Sequence, residues 1–370
     1  MKRRLWIGIG ILLVAALAIL TVVPDLRYVL LGKLKNERFY DSRPVSYWLD
    51  GMTSRQGAVR EHAAYMLGQI GPESPAAIPA LVAALRDNDY IVRRNAAASL
   101  GQIGPPAAEA VPALVAALAD KDARIRREAA SAVGGIGPEA RAAIPALITA
   151  KRKDPDGMTR FWAIASLGHI GPETPEVIPA LIESFADPAA PPSTPSMTAM
   201  QSLQRIGPVA VPFVIQALTH DNPKIREGAA LYLSGVGAEA KPALPILAKL
   251  LEDPERSIRF EAARTLWKLD RQTKASLPVF LDALQNGPPM AQGTAAQLVG
   301  EIGPEAKAAV PALIGLLRDK NPDFRQVAAA SLGAIGPDAR AAVPALRAVL
   351  QDEQEDVRKQ AAESLKQIGP

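Results

Sequence analysis

Residues 99–114 read SLGQIGPPAAEAVPAL, residues 132–147 read AVGGIGPEARAAIPAL and residues 331–346 read SLGAIGPDARAAVPAL. The tripeptide Ile-Gly-Pro begins at Ile70, Ile103, Ile136, Ile170, Ile206, Ile302, Ile335 and Ile368, and Val236-Gly237 and Leu269-Asp270 hold the two remaining places. Successive copies are 30 to 36 residues apart, most of them 33. A fixed period in this range marks an array of stacked supersecondary units.

Each unit reads as two helices. In residues 78–104, Ile78, Leu81, Val82 and Leu85 fall at helical spacing, with Pro79 early, where a missing N–H is tolerated. A second helix follows, with Val92, Ala96, Leu100 and Ile103 on one face. Asn88 or Asp89 can cap its start, Gly104 can take the left-handed conformation that ends it, and Pro105 prevents continuation. One such pair buries too little apolar surface to persist alone, so pairs must stack, and repetition keeps their contact surfaces complementary. The stretch RPVSYWLDGM, residues 43–52, reads as a degenerate first helix with Trp48 and Leu49 in the core places. That makes about ten helix pairs.

Asp and Arg recur six residues apart: Asp87 and Arg93, Asp120 and Arg126, Asp154 and Arg160, Asp253 and Arg259, Asp319 and Arg325, Asp352 and Arg358. The Asp falls in the turn and the Arg inside the second helix, a spacing that suits bidentate pairing within or between units. In the eighth unit both are neutral, Asn286 and Gln292, which avoids leaving one charge alone. These residues are expected to form a structural ladder.

The segments VRRNAAASLGQIGP and AVPALVAAL and their copies resemble HEAT repeats, in particular the short Ala-rich, phycobilisome-lyase-like type. The resemblance covers residues 44–370. It implies an all-α fold, an α-α superhelix of right-handed curvature with the second helices on its concave side.

Departures from the repeat are the places to seek function. The stretch ADPAAPPSTPSM, residues 186–197, is longer than its counterparts and rich in proline, and reads as a stiff hinge or lip. Phe161 and Phe260 stand where other copies have Arg94, Trp162 stands at the place of Asn95, and Trp267 at the place of Gly101. Counted at about 100° per residue from the Val92–Ile103 face, Phe260, Arg264 and Trp267 share an outward surface. Aromatic residues and Arg are the usual anchors of binding surfaces. Phe161, Trp162, Phe260, Arg264 and Trp267 are therefore the candidate partner-binding residues.

The chain has 42 Lys plus Arg against 38 Asp plus Glu, and its cationic positions are interspersed with acidic ones, as in Arg126-Arg127-Glu128. No basic stripe of the kind nucleic acid requires is visible, so no nucleic-acid partner is expected. The absence of cysteine excludes disulfides, thiol catalysis and Cys-ligated metals. Deoxyhypusine hydroxylase, a helical-repeat enzyme, carries His-Glu pairs; here His62, His169 and His220 are each followed by another residue type. No catalytic, cofactor or metal site is expected. The alternative is a bilin-lyase-like or accessory enzyme subunit that uses the repeats to hold a substrate protein.

Ahead of the repeats, Leu5 to Val23 form nineteen residues without a charge, preceded by Lys2, Arg3 and Arg4. As a helix they span about 28 Å, close to one hydrocarbon core. The expectation is a transmembrane helix over residues 1–23, with the N-terminus cytoplasmic and the repeats outside; the alternative is a cleaved leader and secretion. Residues 24–43 read as a basic juxtamembrane connector with Tyr28, Phe39 and Tyr40 at the interface. The whole reads as a membrane-tethered scaffold that docks another protein.

Overall fold

A computed structural model describes residues 24–171, 174–187 and 195–369. The chain divides into two units. The first holds the described residues up to 181 together with 187 and 195–206; the second holds 182–186 and 207–369.

The first unit opens with α1 (Pro24–Leu34) and a two-residue hairpin, β1 (Phe39–Tyr40) against β2 (Arg43–Pro44). Five helix pairs follow: α2 (Val45–Gly51) with α3 (Gly57–Ile70), α4 (Ala77–Ala84) with α5 (Tyr90–Ile103), α6 (Val111–Ala117) with α7 (Ala123–Ile136), α8 (Ile144–Lys153) with α9 (Gly157–Ile170), and α10 (Val177–Glu183) with α11 (Pro195–Ile206). The last residues of α10 fall at the border of the two units. The second helices pack in sequence, α3 on α5, α5 on α7, α7 on α9 and α9 on α11.

The second unit contains α12 (Val211–Ala217) with α13 (Pro223–Leu233), α14 (Leu244–Leu250) with α15 (Arg256–Asp270), α16 (Thr273–Asn286) with α17 (Pro289–Ile302), α18 (Val310–Leu316) with α19 (Pro322–Ile335), and α20 (Val343–Val349) with α21 (Glu355–Ile368). The ten expected pairs are thus all helical.

The repeated letters have separate physical jobs. The turn residue Gly104 has φ 75° and ψ −142°. This is not the left-handed helical conformation expected from the sequence. It is a region that side chains with a Cβ scarcely enter, so the glycine is required more strictly than a helix cap requires it. Asp89, not Asn88, caps α5, its carboxylate accepting the Ile91 N–H. Val92, Ala96 and Leu100 are fully buried and Ile103 nearly so.

A second motif lies in the Ser-Leu-Gly of the second helices. Ser99, Ser166, Ser331 and Ser364 hydroxyls each donate to a carbonyl one repeat earlier, those of Ala64, Ala130, Ala296 and Ala329. Beneath each serine sits a glycine of the preceding helix. A Cβ on Gly68, Gly300 or Gly333 would lie within about 3 Å of the main chain of Ser99, Ser331 or Ser364. Serine and glycine together let neighbouring helices approach to backbone contact and satisfy the buried hydroxyl.

The membrane part of the expected fold is corrected. Among the described residues no helix is long and apolar enough to cross a membrane. The helix leading into the repeats, α1, has eleven residues, about 16 Å against a hydrocarbon core of about 30 Å, and carries Arg27 and Lys33. The expected span, residues 5–23, lies outside the described residues, and no described helix supports a transmembrane anchor or extracytoplasmic repeats. Residues 24–43 are not an open connector. The Tyr28 ring meets Tyr47 edge to face at 5.2 Å, and its hydroxyl donates to Asp50, which together with burial raises the phenol to about 12. Trp48 is buried and donates to the Tyr40 carbonyl. This segment closes the open end of α2–α3. Residues 188–194 of the expected hinge also lie outside the described residues.

Candidate functional site

The arginine ladder runs between repeats. Arg60 Nε and Nη2 donate to Asp87 at 2.7 and 2.8 Å, and Arg93 donates to Asp120, Arg126 to Asp154, Arg226 to Asp253 and Arg325 to Asp352. The remaining nitrogen, Nη1, turns back to the carbonyl six residues earlier, as from Arg93 to Asp87. Each guanidinium thereby clamps its own turn to the next. The i, i+6 partners named from the sequence therefore share a turn, while the carboxylate reached belongs to the following repeat. Arg60 and Arg226 were missed because no Asp precedes them by six residues; Ser54 and His220 supply the carbonyls instead.

This direction changes the meaning of the eighth repeat. Asn286 stands where Arg259 would find its carboxylate, so Arg259 has only Asp282, 4.0 Å away, while its Nη1 holds the Asp253 carbonyl. Arg256 makes the closer pair with Asp282, at 3.1 Å, and donates to the Asn286 carbonyl. Neutral residues at 286 and 292 do not cancel one pair; they interrupt two. Arg160 holds the Asp154 carbonyl, Arg358 that of Asp352, and Asp319 accepts from the Asn321 N–H in its own turn.

The aromatic candidates separate into two kinds. Phe260 and Trp267, expected on an outward surface, are 7% and 3% exposed. Phe260 meets Phe280 of α16 edge to face at 6.0 Å, and the Arg271 guanidinium covers Trp267 at 4.0 Å. The 100° count failed because a second helix in a stack contacts neighbours on both flanks as well as its own first helix. Trp162 does face outward, 37% exposed, with half-buried Phe161 edge to face at 5.2 Å.

In the row of second helices leading to this pair, Arg127 clamps Asp156. Burial pushes the Glu128 carboxyl up, against the pull of Arg94. The three histidines do not converge. The His62 ring meets Trp48 edge to face at 5.1 Å, His220 Nδ1 accepts the Asn222 N–H, and His169 is lowered by burial and by Arg205.

Trp267 is better understood by what it displaces. It occupies the glycine place of Ser-Leu-Gly, and one repeat on, Leu298 occupies the serine place. Without glycine on one helix and serine on the other, α15 and α17 do not close, and α15 packs on α16 instead. The Ala263 carbonyl, which the missing serine would have met, accepts from Ser276 of α16 at 3.0 Å. α16 has fourteen residues where other first helices of this unit have seven, and so can fill the gap.

A cavity of about 400 Å³ lies between α13, α15 and α17, within the second unit. Leu231, Phe260, Ala283, Pro288, Met290 and Ala291 give it apolar walls, and Glu227, Glu261, Arg256 and Arg264 are its charged groups. Arg264 Nη2 lies 2.6 Å from Glu261 and also donates to Ser234 Oγ. Burial raises the Glu261 carboxyl, with Arg264 opposing. A pocket of this size, mostly apolar with a few polar groups, has the character of a binding site.

The pattern described as HEAT repeats matches residues 45–133, 111–194, 192–267, 211–288 and 277–366. The chain belongs to the HEAT-repeat family. The match does not single out the phycobilisome-lyase-like type of HEAT repeat. No curated protein matches the sequence.

Among solved structures, this HEAT-repeat chain is similar to Kap121p bound to Nup53p, with a TM-score of 0.64 and 13% identity over 90% of this chain and 42% of that one. Kap121p bound to the extreme C-terminus of the protein phosphatase Cdc14p gives 0.63 and 13%, again over 90% and 42%. Kap95p, in a structure titled for its effect on the switch loops of RanGDP, gives 0.57 and 17% over 87% and 50%. The chain thus spans half or less of the length of these karyopherins. At such identities the likeness is one of fold.

Proposed function

We propose that this HEAT-repeat chain is a docking scaffold for another protein, with no catalysis of its own, and that it takes its partner against the face built by the second helices. The observation that carries the reading is the Phe161–Trp162 pair. It offers a pair of aromatic rings packed edge to face with one of them open to solvent. Exposed aromatics flanked by charge are favoured anchors of protein interfaces. The karyopherin structures of similar fold, two of them titled as bound to protein partners, support the reading at the level of the fold. Phe260 and Trp267 serve it differently, by shaping the second unit from inside.

The test is crosslinking in native extract followed by mass spectrometry, with wild-type chain and Trp162→Ala. The same partner proteins should be recovered in lower yield by the variant at unchanged thermal stability. Equal recovery would remove this face from consideration as the docking surface.

A further inference from the structure

We infer that Arg160 is a carboxylate subsite of the docking face, taking an aspartate or glutamate side chain of the protein partner beside the Phe161–Trp162 pair; this rests on the docking reading above.

The register of the ladder assigns Arg160 a carboxylate that it does not hold. Asp187 lies 27 residues after Arg160, the step that joins Arg93 to Asp120 and Arg325 to Asp352. Asp187 is turned to Lys151 instead, at 3.7 Å. Lys151 occupies the place held by Leu85 and Leu118 in earlier repeats and is 3% exposed. A lysine buried in an apolar place needs an anion, and the ladder carboxylate of the next repeat supplies it.

Arg160 keeps the posture of the other rungs without their carboxylate. Its Nη1 donates to the Asp154 carbonyl at 2.9 Å and the Pro155 carbonyl at 3.4 Å, as Arg126 Nη1 does to those of Asp120 and Lys121. In Arg126 the other edge, Nε and Nη2, meets both oxygens of Asp154 at 2.7 and 2.9 Å. In Arg160 that edge bonds to none of the described residues, and neither nitrogen is closed off from solvent.

The surrounding carboxylates are engaged elsewhere: Asp154 by Arg126, Asp156 by Arg127 and Asp187 by Lys151. Among the described residues the Arg160 charge is therefore unmatched. A planar guanidinium anchored at one nitrogen and open along its other edge fits a carboxylate through two parallel bonds. A neutral amide offers that edge a single acceptor atom and leaves the charge uncompensated. Half-buried Phe161 and Trp162, 37% exposed, follow Arg160 in the same turn of α9. An acidic residue held by Arg160 thus brings its neighbours in the partner chain to the aromatic pair.

The experiment uses the full chain labelled with 15N-arginine, with the Arg160 Nε–H resonance assigned by its loss in Arg160→Lys. N-acetyl-glutamate methylamide and N-acetyl-glutamine methylamide, alike in size and different in charge, are titrated separately at constant ionic strength. The glutamate probe should shift the Arg160 Nε–H saturably, and the glutamine probe should bind at least about tenfold more weakly. The Arg126 Nε–H, already bonded to Asp154, should stay in place.

A glutamine probe that acts as strongly as glutamate would overturn the inference, as would an Arg160 resonance that neither probe moves or an equal shift at Arg126. An unmoved resonance with reduced capture by Trp162→Ala sinks the subsite and leaves the docking reading intact. A saturating glutamate titration with unaltered capture does the reverse.

Discussion

Arg325 of α19 donates through Nε and Nη2 to both carboxylate oxygens of Asp352, each at 2.7 Å, although Asp352 belongs to the next repeat. Nη1 of the same guanidinium is spent on the Asp319 and Lys320 carbonyls. Both side chains are about nine-tenths buried. Removing one partner strands the other charge, so Arg325→Ala should lower stability by about 3 kcal/mol in urea denaturation. Lys359→Ala, which removes an exposed pair with Glu355 on α21, should change it by less than about 0.5 kcal/mol.

The same ladder sets the acid response. Asp87 and Asp352 are held below the ordinary carboxylate range, first by their bonds to Arg60 and Arg325. Each therefore binds a proton less readily folded than unfolded. The stabilisation is complete above the unfolded value, about 4, and is lost as pH falls through the lower folded one. Glu261 acts in the opposite sense, because burial raises its carboxyl and folding favours its protonated form. Thermal melts of Asp352→Asn should start from a lower Tm at neutral pH and decline less steeply on acidification than wild type. Parallel acid limbs would show that the ladder carboxylates do not govern it.

Close approach of the second helices depends on Gly333. A Cβ there would lie 2.9 Å from Ser364 Cα and 2.7 Å from its Oγ, so the α19 and α21 backbones would have to part. Gly333→Ala should cost about 1–3 kcal/mol despite adding only a methyl to a helix that would otherwise favour it. Ser364→Ala, which forfeits the bond to the Ala329 carbonyl without overpacking, should cost about 1 kcal/mol. A stabilised Gly333→Ala variant would show that the helices have room to spare.

The helix pairs were legible because Ile-Gly-Pro fixes a register that every later argument can use. The ladder was legible in its residues but not in its direction: Asp87 to Arg93 is a short step along the chain, whereas the carboxylate that Arg93 reaches, Asp120, lies 27 residues on. Ser-Leu-Gly recurs in the copied text, but its task lies between helices, which one repeat's sequence does not display. Phe260 and Trp267 were misplaced for the same reason: helical periodicity defines one buried face, and stacking buries the flanks too. The separation of α15 and α17 had a signal in the joint loss of glycine at 267 and serine at 298, which reads as a gap only once glycine and serine at these places are known to meet in other repeats.

Trp267 is the residue on which that gap turns. It is 3% exposed, lies in one apolar cluster with Phe260 and Phe280, and is covered by Arg271, which adopts a left-handed conformation at φ 49°. Trp267→Ala removes the wedge but restores neither the serine opposite nor a short first helix, so α17 cannot simply close onto α15. The variant should therefore lose about 3–5 kcal/mol, the cost of an unfilled aromatic site. Hydrogen exchange should quicken first in α15, α16 and α17. Trp162→Ala, with its ring open to solvent, should stay within about 0.5 kcal/mol of wild type. If Trp267→Ala were as mild as Trp162→Ala, the tryptophan would be a passenger in the gap and not its cause.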